Sequence, residues 1–164
     1  MLSLLSRLTA RGWFALIAAA CFAALAFALT AQHAFGMRPC AWCVLQRLIY
    51  LAIGIVALFG VVIDKRPTRG LIVLVLLALV ASGVAAALWQ NLVAASADSC
   101  DLTLAERVIS AVKLDEWLPE VFTAWASCKD AAVTLLGVAF ELWSLVLYLM
   151  LGGAALMALR ALRG

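Results

Sequence analysis

Two cysteines separated by two residues, Cys40-Ala-Trp-Cys43, are the first point in this chain where residue type and spacing could do chemistry. That spacing allows a tight ring at the first turn of a helix, the geometry of dithiol redox motifs. Pro39 precedes the pair and is suited to opening a helix. Thiols at a helix N-terminus feel the positive end of the macrodipole, which favours thiolate. Arg47 follows Cys43 by four residues and so shares its helical face one turn deeper. A guanidinium there favours the thiolate further and could hold an oxygen of an electron acceptor. Zinc would need four ligands, and His33 is the one histidine available beside the cysteines. Haem attachment would need histidine after the second cysteine, where Val44 stands. A structural disulfide is the remaining alternative.

Three further cysteines divide by setting. Cys21 lies among Phe22, Ala23 and Ala24, where a lone cysteine behaves as a small hydrophobe. Cys100 and Cys128 have 27 residues between them. A bridge between these two could staple the segment by closing its loop. Alternatively, the two pairs form a relay, since thiolate attack through mixed disulfides moves two electrons from pair to pair.

These residues need elements to hold them, and composition says where. Of 164 residues, 68% are hydrophobic and 13% charged, with mean hydropathy +1.14, against about 45–50% apolar and about 25% charged in soluble domains. So little polar surface cannot solvate a particle of 17.5 kDa, and disorder is excluded by the same figures. A net charge of +3 is too small and too scattered to argue for nucleic acid as a partner, and membrane lipid is the surrounding that the composition leaves. The expected fold is an all-α integral membrane protein, a single domain over residues 1–164, built as a four-transmembrane-helix bundle.

Four apolar stretches reach the roughly 20 helical residues a bilayer requires: about 13–30, 43–63, 71–92 and 133–159. Runs such as Leu71-Ile-Val-Leu-Val-Leu-Leu77 lack the alternation of a membrane strand. Ala26-Phe-Ala28 resembles a signal-peptide cleavage site, but the apolar core before it exceeds the usual length of about 7–15 residues, and a retained span is expected. Arg7 and Arg11, then Lys65, Arg66 and Arg69, then Arg160 and Arg163 fall on one side of four spans. By the positive-inside rule that side, with both termini, is cytoplasmic. The short loop at about 31–42 and the long loop at about 93–132 are then translocated. In a bacterium their four cysteines face the oxidising periplasm. Within the long loop, Leu114, Trp117, Leu118, Val121, Phe122 and Trp125 recur at helical spacing, interrupted by Pro119. Such a segment could lie on the membrane surface with its tryptophans at headgroup depth, or pack the loop onto the bundle.

Motif, spacing and topology together resemble the bacterial disulfide bond formation protein B (DsbB) family. The likeness rests on Pro39-Cys-x-x-Cys43 followed by Gln46-Arg47, and on the second cysteine pair in a long loop. Gln32-His33, the run Asp115-Glu-Trp-Leu-Pro-Glu-Val-Phe122, Gly137 and Trp143 extend it from about residue 10 to 160. The resemblance implies an inner-membrane disulfide oxidoreductase that reoxidises a soluble periplasmic dithiol oxidase of thioredoxin fold (DsbA-like) and passes electrons to a quinone, ubiquinone or menaquinone, and so to the respiratory chain. It implies that Cys100 is attacked by the partner, that Cys128 resolves and passes electrons to Cys40, and that Cys43 contacts the quinone. Arg47 would polarise a quinone oxygen and stabilise the Cys43 thiolate.

The chain departs from the family pattern twice. Members commonly carry a histidine near the end of span three; here the stretch reads Leu88-Trp-Gln-Asn91, in which Gln90 or Asn91 could donate a hydrogen bond but neither is a cation. Glu141 stands where proline is usual and is expected as a solvated interfacial residue, with a proton-relay role as the alternative. The competing reading is a non-catalytic four-span protein whose two disulfides brace its loops. A related oxidase serving one dedicated client is a third.

Overall fold

A computed structural model describes residues 8–94, 104–131 and 133–163. Cys100, Asp98 and Asp101 lie outside the described residues. Four long apolar helices run α1 Ala10–Phe35, α2 Ala41–Val62, α3 Arg66–Leu92 and, after a set of loop elements, α7 Phe140–Arg163. At about 1.5 Å per residue even the shortest, α2, reaches the roughly 30 Å of a bilayer's hydrocarbon. The chain is a four-helix multi-pass membrane protein.

Helix limits follow local chemistry. The Thr9 hydroxyl accepts from the Gly12 amide at 3.2 Å and opens α1, which stops at Gly36 in the left-handed region (φ 65°). Pro67 sits in the first turn of α3, where its missing N–H costs nothing. Asp64, in the turn before α3, is 3.4 Å from Arg11 and 3.0 Å from Arg69, while Arg69 Nε donates to the Gly60 carbonyl at the end of α2. That clamp ties the start of α1 to the α2–α3 turn at the end of the bundle away from Cys40.

The fourth helix starts at Phe140, not near residue 133 where the apolar stretch begins, and runs on to Arg163. Residues ahead of it form a hairpin instead: β1 Thr134–Leu135 pairs antiparallel with β2 Val138–Ala139, in the register Thr134 with Ala139. Both turn residues, Leu136 and Gly137, have positive φ (55° and 78°), as a two-residue hairpin turn demands. Hydropathy alone cannot separate an apolar hairpin from the helix it abuts.

The long loop holds three short helices, α4 Leu104–Val112, α5 Leu114–Trp117 and α6 Pro119–Phe122. The surface segment divides between its two possible placements. Phe122 is buried and packs with Ile109 of α4 and Val44 of α2, with Leu114 and Val121 against that cluster, whereas Trp117, Leu118 and Trp125 stay exposed. The loop is therefore seated on the N-terminal end of α2.

Large apolar side chains such as Phe59, Leu74, Leu149 and Met150 stand exposed on the outer helix faces, as lipid contact requires. The inner faces carry Phe14, Ile53, Leu76 and Tyr148 packed among small residues such as Ala57 and Ala155. Buried polar side chains concentrate at the loop end: Gln46 and Arg47 on α2, Gln90 on α3, Glu141 on α7.

Candidate active site

Cys40 is the residue immediately before α2 and is fully buried; Cys43 is the third residue of that helix and half-buried. Pro39 ends the short loop and lets the chain turn into the helix with both thiols in its first turn. Their sulfurs are 3.2 Å apart. The two are free thiols here, as are Cys21 and Cys128.

Cys128 joins them from the long loop. Its side chain is hydrogen-bonded to Cys40 and also receives the backbone N–H of Trp42 in the first turn of α2. Cys40 thus lies between Cys43 and Cys128. Three contacts hold the loop there: the Trp125 amide donates to the Pro39 carbonyl at 2.9 Å, Gln32 Nε2 to the Glu120 carbonyl at 2.9 Å, and Arg47 to the Val121 carbonyl at 3.0 Å.

The hydrogen bond between the two sulfurs splits their proton affinities. Acting as donor to Cys128, and buried, the Cys40 thiol is pushed up to about 12. Cys128, accepting from Cys40 and from the Trp42 amide, falls below the ordinary thiol value despite its partial burial. The thiolate therefore belongs on Cys128 in the reduced protein, and it persists to lower pH than an ordinary cysteine's would. On this basis, alkylation of the reduced protein, resolved by peptide mass spectrometry, is expected to modify Cys128 already below the ordinary thiol pKa of about 8.5 and Cys40 only far above it. In Cys40→Ala the Cys128 profile moves up in pH. Identical profiles for the two cysteines would contradict the assignment.

Behind Cys43 the side chains form a second network. Gln46 Nε2 donates to Gln90 Oε1 at 2.7 Å, which turns the Gln90 amide nitrogen toward Cys43, and Gln90 Nε2 reaches Cys43 Sγ at 3.2 Å. The position in question near the end of span three is thus filled by a neutral donor aimed at sulfur. Asn91, next along α3, donates to Glu141 Oε1 at 3.0 Å.

Arg47 is buried one turn below Cys43. Its NH1 donates to Gln32 Oε1 at 2.6 Å and to the Val121 carbonyl, and its NH2 to the Ala28 carbonyl at 3.4 Å. All three acceptors are neutral, so these contacts position the guanidinium without cancelling its charge. They use three of its five N–H donors. A role in anchoring the long loop is the part of Arg47's work that its spacing from Cys43 did not suggest.

Cys43, Gln46, Arg47, Gln90 and Glu141 line one cavity of about 520 Å³ among α1, α2, α3 and α7. Its other walls are chiefly apolar, with Ala24, Phe27, Phe140 and Leu147 among them. Glu141 corrects an expectation: it is 6% exposed, not a solvated interfacial residue. The first turn of α7 begins inside the bundle because the hairpin before it occupies the surface. Cys21 lies far from the other sulfurs along α1, fully buried, with its Cβ against Gly54.

Sequence reasoning singled out Cys40, Cys43, Arg47, Cys100 and Cys128; the structure brings four of them to one end of the bundle, and Cys100 lies outside the described residues. Gln46 was legible as a polar residue inside a span, but its partnership with Gln90 was not, and neither was the tie from Gln32 to Arg47. Among the described residues no group of histidine, cysteine and carboxylate ligands could hold a metal ion.

The family model for disulfide bond formation protein DsbB matches residues 10–158. Disulfide bond formation protein B of Ralstonia nicotianae is 34% identical over 141 residues, covering 83% of this chain and 85% of the relative. The proteins of the same name from Azoarcus sp. and Aromatoleum aromaticum are 34% and 32% identical over 158 residues, each covering 94% of this chain and 93% and 95% of the relative. Similarity that spans all four membrane helices, in a chain whose loop and helix cysteines meet at one end of the bundle, means that the protein belongs to the DsbB family of disulfide-forming membrane proteins.

Proposed function

We propose that the protein is a quinone-dependent thiol oxidase that reoxidises a periplasmic dithiol oxidase of thioredoxin fold (DsbA-like), using Cys100 and Cys128 as the outer pair and Cys40 and Cys43 as the inner one. The observation that carries this reading is the position of Cys40 between Cys43 and Cys128. Two bracing disulfides in separate loops have no need of contact between the pairs; a relay requires it.

The cycle begins with both pairs oxidised. A thiolate of the partner attacks Cys100, forms a mixed disulfide and releases the Cys128 thiolate. That thiolate, stabilised by the Trp42 amide at the head of α2, attacks Cys40, joins it, and releases the Cys43 thiolate. The partner's second thiol then displaces Cys100, and the partner leaves oxidised. Cys100 attacks Cys128 to restore the outer pair and free Cys40 as a thiol. Cys40 and Cys43 finally close their own disulfide, surrendering two electrons to the acceptor.

The cavity beside Cys43 suits that acceptor. A membrane quinone supplies a two-electron, two-proton sink on a flat ring with two oxygens and an apolar tail. Contacts with the described residues leave two N–H donors of Arg47 for a ligand, Cys43 Sγ lies on the same wall, and the apolar remainder accepts hydrocarbon. Arg47 orients an oxygen one turn below Cys43, while Gln90 donates a neutral hydrogen bond to the Cys43 sulfur.

The charge pattern supports an inner-membrane orientation with the cysteine end periplasmic. Arg11, Lys65, Arg66, Arg69, Arg160 and Arg163 all lie at the other end of the spans, which the positive-inside rule assigns to the cytoplasm with both termini.

The test is a trap. A reduced thioredoxin-fold partner whose second active-site cysteine is replaced by alanine attacks the Cys100–Cys128 disulfide of the wild-type protein but cannot displace Cys100 afterwards, so a complex through Cys100 is expected to accumulate, seen on a non-reducing gel and lost with dithiothreitol. Failure to trap any partner, with Cys40–Cys43 inert to it, supports bracing disulfides instead.

A further inference from the structure

Glu141 is the most expensive side chain in the described bundle that the thiol relay leaves unused. It sits in the first turn of a membrane span, 6% exposed, where an ionisable group is costly and is retained for function by default. Its hydrogen bond comes from the neutral amide of Asn91 at 3.0 Å. The buried cation of the same cavity, Arg47, spends its contacts on Gln32, Val121 and Ala28. Glu141 is therefore built neither as half of an ion pair with Arg47 nor as a surface charge.

Its place in the cavity is informative. Cys43 and Arg47 approach from α2, Gln90 from α3, and Glu141 from α7. The lining also takes in loop residues Met37, Arg38, Ala131 and Val133, so the cavity extends to the loop end of the bundle.

We propose that Glu141 is the proton donor of this cavity, delivering a proton from its carboxyl group to an oxygen of the bound quinone as Cys40 and Cys43 close their disulfide. The assignment rests on the quinone-dependent reading above. It also balances the step. Closing the disulfide from the Cys43 thiolate and the Cys40 thiol yields two electrons and one proton, whereas forming a quinol takes two electrons and two protons. Cys40 supplies one proton and Glu141 the other. The Glu141 carboxylate, stabilised by the Asn91 amide and by the N-terminal end of α7, then recovers a proton from water at the loop end.

The experiment compares wild type, Glu141→Gln and Glu141→Asp in detergent with a short-chain ubiquinone and a reduced thioredoxin-fold partner. Glu141→Gln is expected to lower kcat for quinone reduction on the order of 10²-fold with KM for quinone little changed. Oxidation of one equivalent of partner by the quinone-free variant continues at the wild-type rate. Glu141→Asp keeps the acid but withdraws it by one methylene, so kcat falls less and KM again holds. Infrared spectra of the quinone-free protein provide a readout independent of turnover: a buried carboxylic-acid C=O band present in wild type, shifted in Glu141→Asp and missing in Glu141→Gln. Unchanged kcat in both variants, a raised KM at unchanged kcat, or absence of the band from wild type overturns the proposal. Wild type that oxidises its partner but never reduces quinone overturns the quinone-dependent reading, and this inference with it.

Discussion

Replacing Cys43 by serine stops quinone reduction while leaving the outer thiols reactive. Cys43 is the sulfur on the cavity wall, held at 3.2 Å from Cys40 and 3.2 Å from the Gln90 amide. A serine hydroxyl fits the space and can keep the Gln90 hydrogen bond, so the bundle is expected to assemble. It cannot close a disulfide with Cys40, and so it cannot surrender the electron pair. Turnover with reduced partner and quinone falls to background. Residual activity above about one hundredth of wild type, equivalent to a barrier increase of less than about 2.7 kcal/mol, would contradict the role given to Cys43. The same variant has a positive signature. With its inner partner gone, Cys40 still contacts Cys128, and peptide mapping under non-reducing conditions is expected to recover the Cys40–Cys128 disulfide. A Cys43→Ser protein with Cys40 unpaired after exposure to oxidised partner would show that the sulfurs do not exchange.

The second large effect is structural and begins far from any thiol. Gly83 of α3 faces Tyr148 of α7, and a β-carbon at position 83 would overlap the Cε1, Cζ and Cδ1 atoms of that ring. The ring has nowhere to go. It is fully buried, stacked on Tyr50 at 4.4 Å and 3° between planes, and its hydroxyl donates to the Gln46 carbonyl at 3.1 Å. Tyr50 in turn donates to the Ser144 carbonyl at 3.2 Å. Gly83→Ala is therefore expected to destabilise the bundle by about 1–3 kcal/mol, measured as a lowered unfolding midpoint in detergent. It should also impair quinone reduction, because Tyr148 supports the backbone of Gln46, which orients Gln90 toward Cys43. An alanine variant with wild-type midpoint and activity would mean that α3 and α7 have more slack than this packing shows. Helix association in lipid depends on such close approach, since apolar surface alone gives little preference for protein over acyl chains.

These two expectations differ in how far the sequence anticipates them. Cys43 is legible because everything that makes it chemical is local: two residues to Cys40, four to Arg47, a proline before, a helix after. Gly83 is one small residue in an apolar run, and nothing in its neighbourhood marks it apart from other glycines of the spans. Its importance lies in Tyr148, which only the packing of α3 on α7 brings to it.

The same division runs through the molecule. Composition and hydropathy by themselves determined a four-span membrane bundle, because roughly 20 apolar residues in a row have one stable way to satisfy their backbone in lipid. The fixed spacing of Cys40, Cys43 and Arg47 determined a dithiol at a helix head with a cation beneath it, since helix geometry converts four residues into one turn. Tertiary structure alone decided that Cys128 touches Cys40, that Gln90 and not a cation reaches Cys43, that Glu141 is buried, and that Arg47 anchors the loop as well as lining the cavity. It also decided that residues ahead of Phe140 form a hairpin, whose turn needs positive φ at Leu136 and Gly137. The physical reason is range. Periodicity and spacing report forces between neighbours in the chain, whereas a buried hydrogen bond between Gln46 and Gln90, or a sulfur contact between Cys40 and Cys128, exists only once separate helices and loops have been packed together.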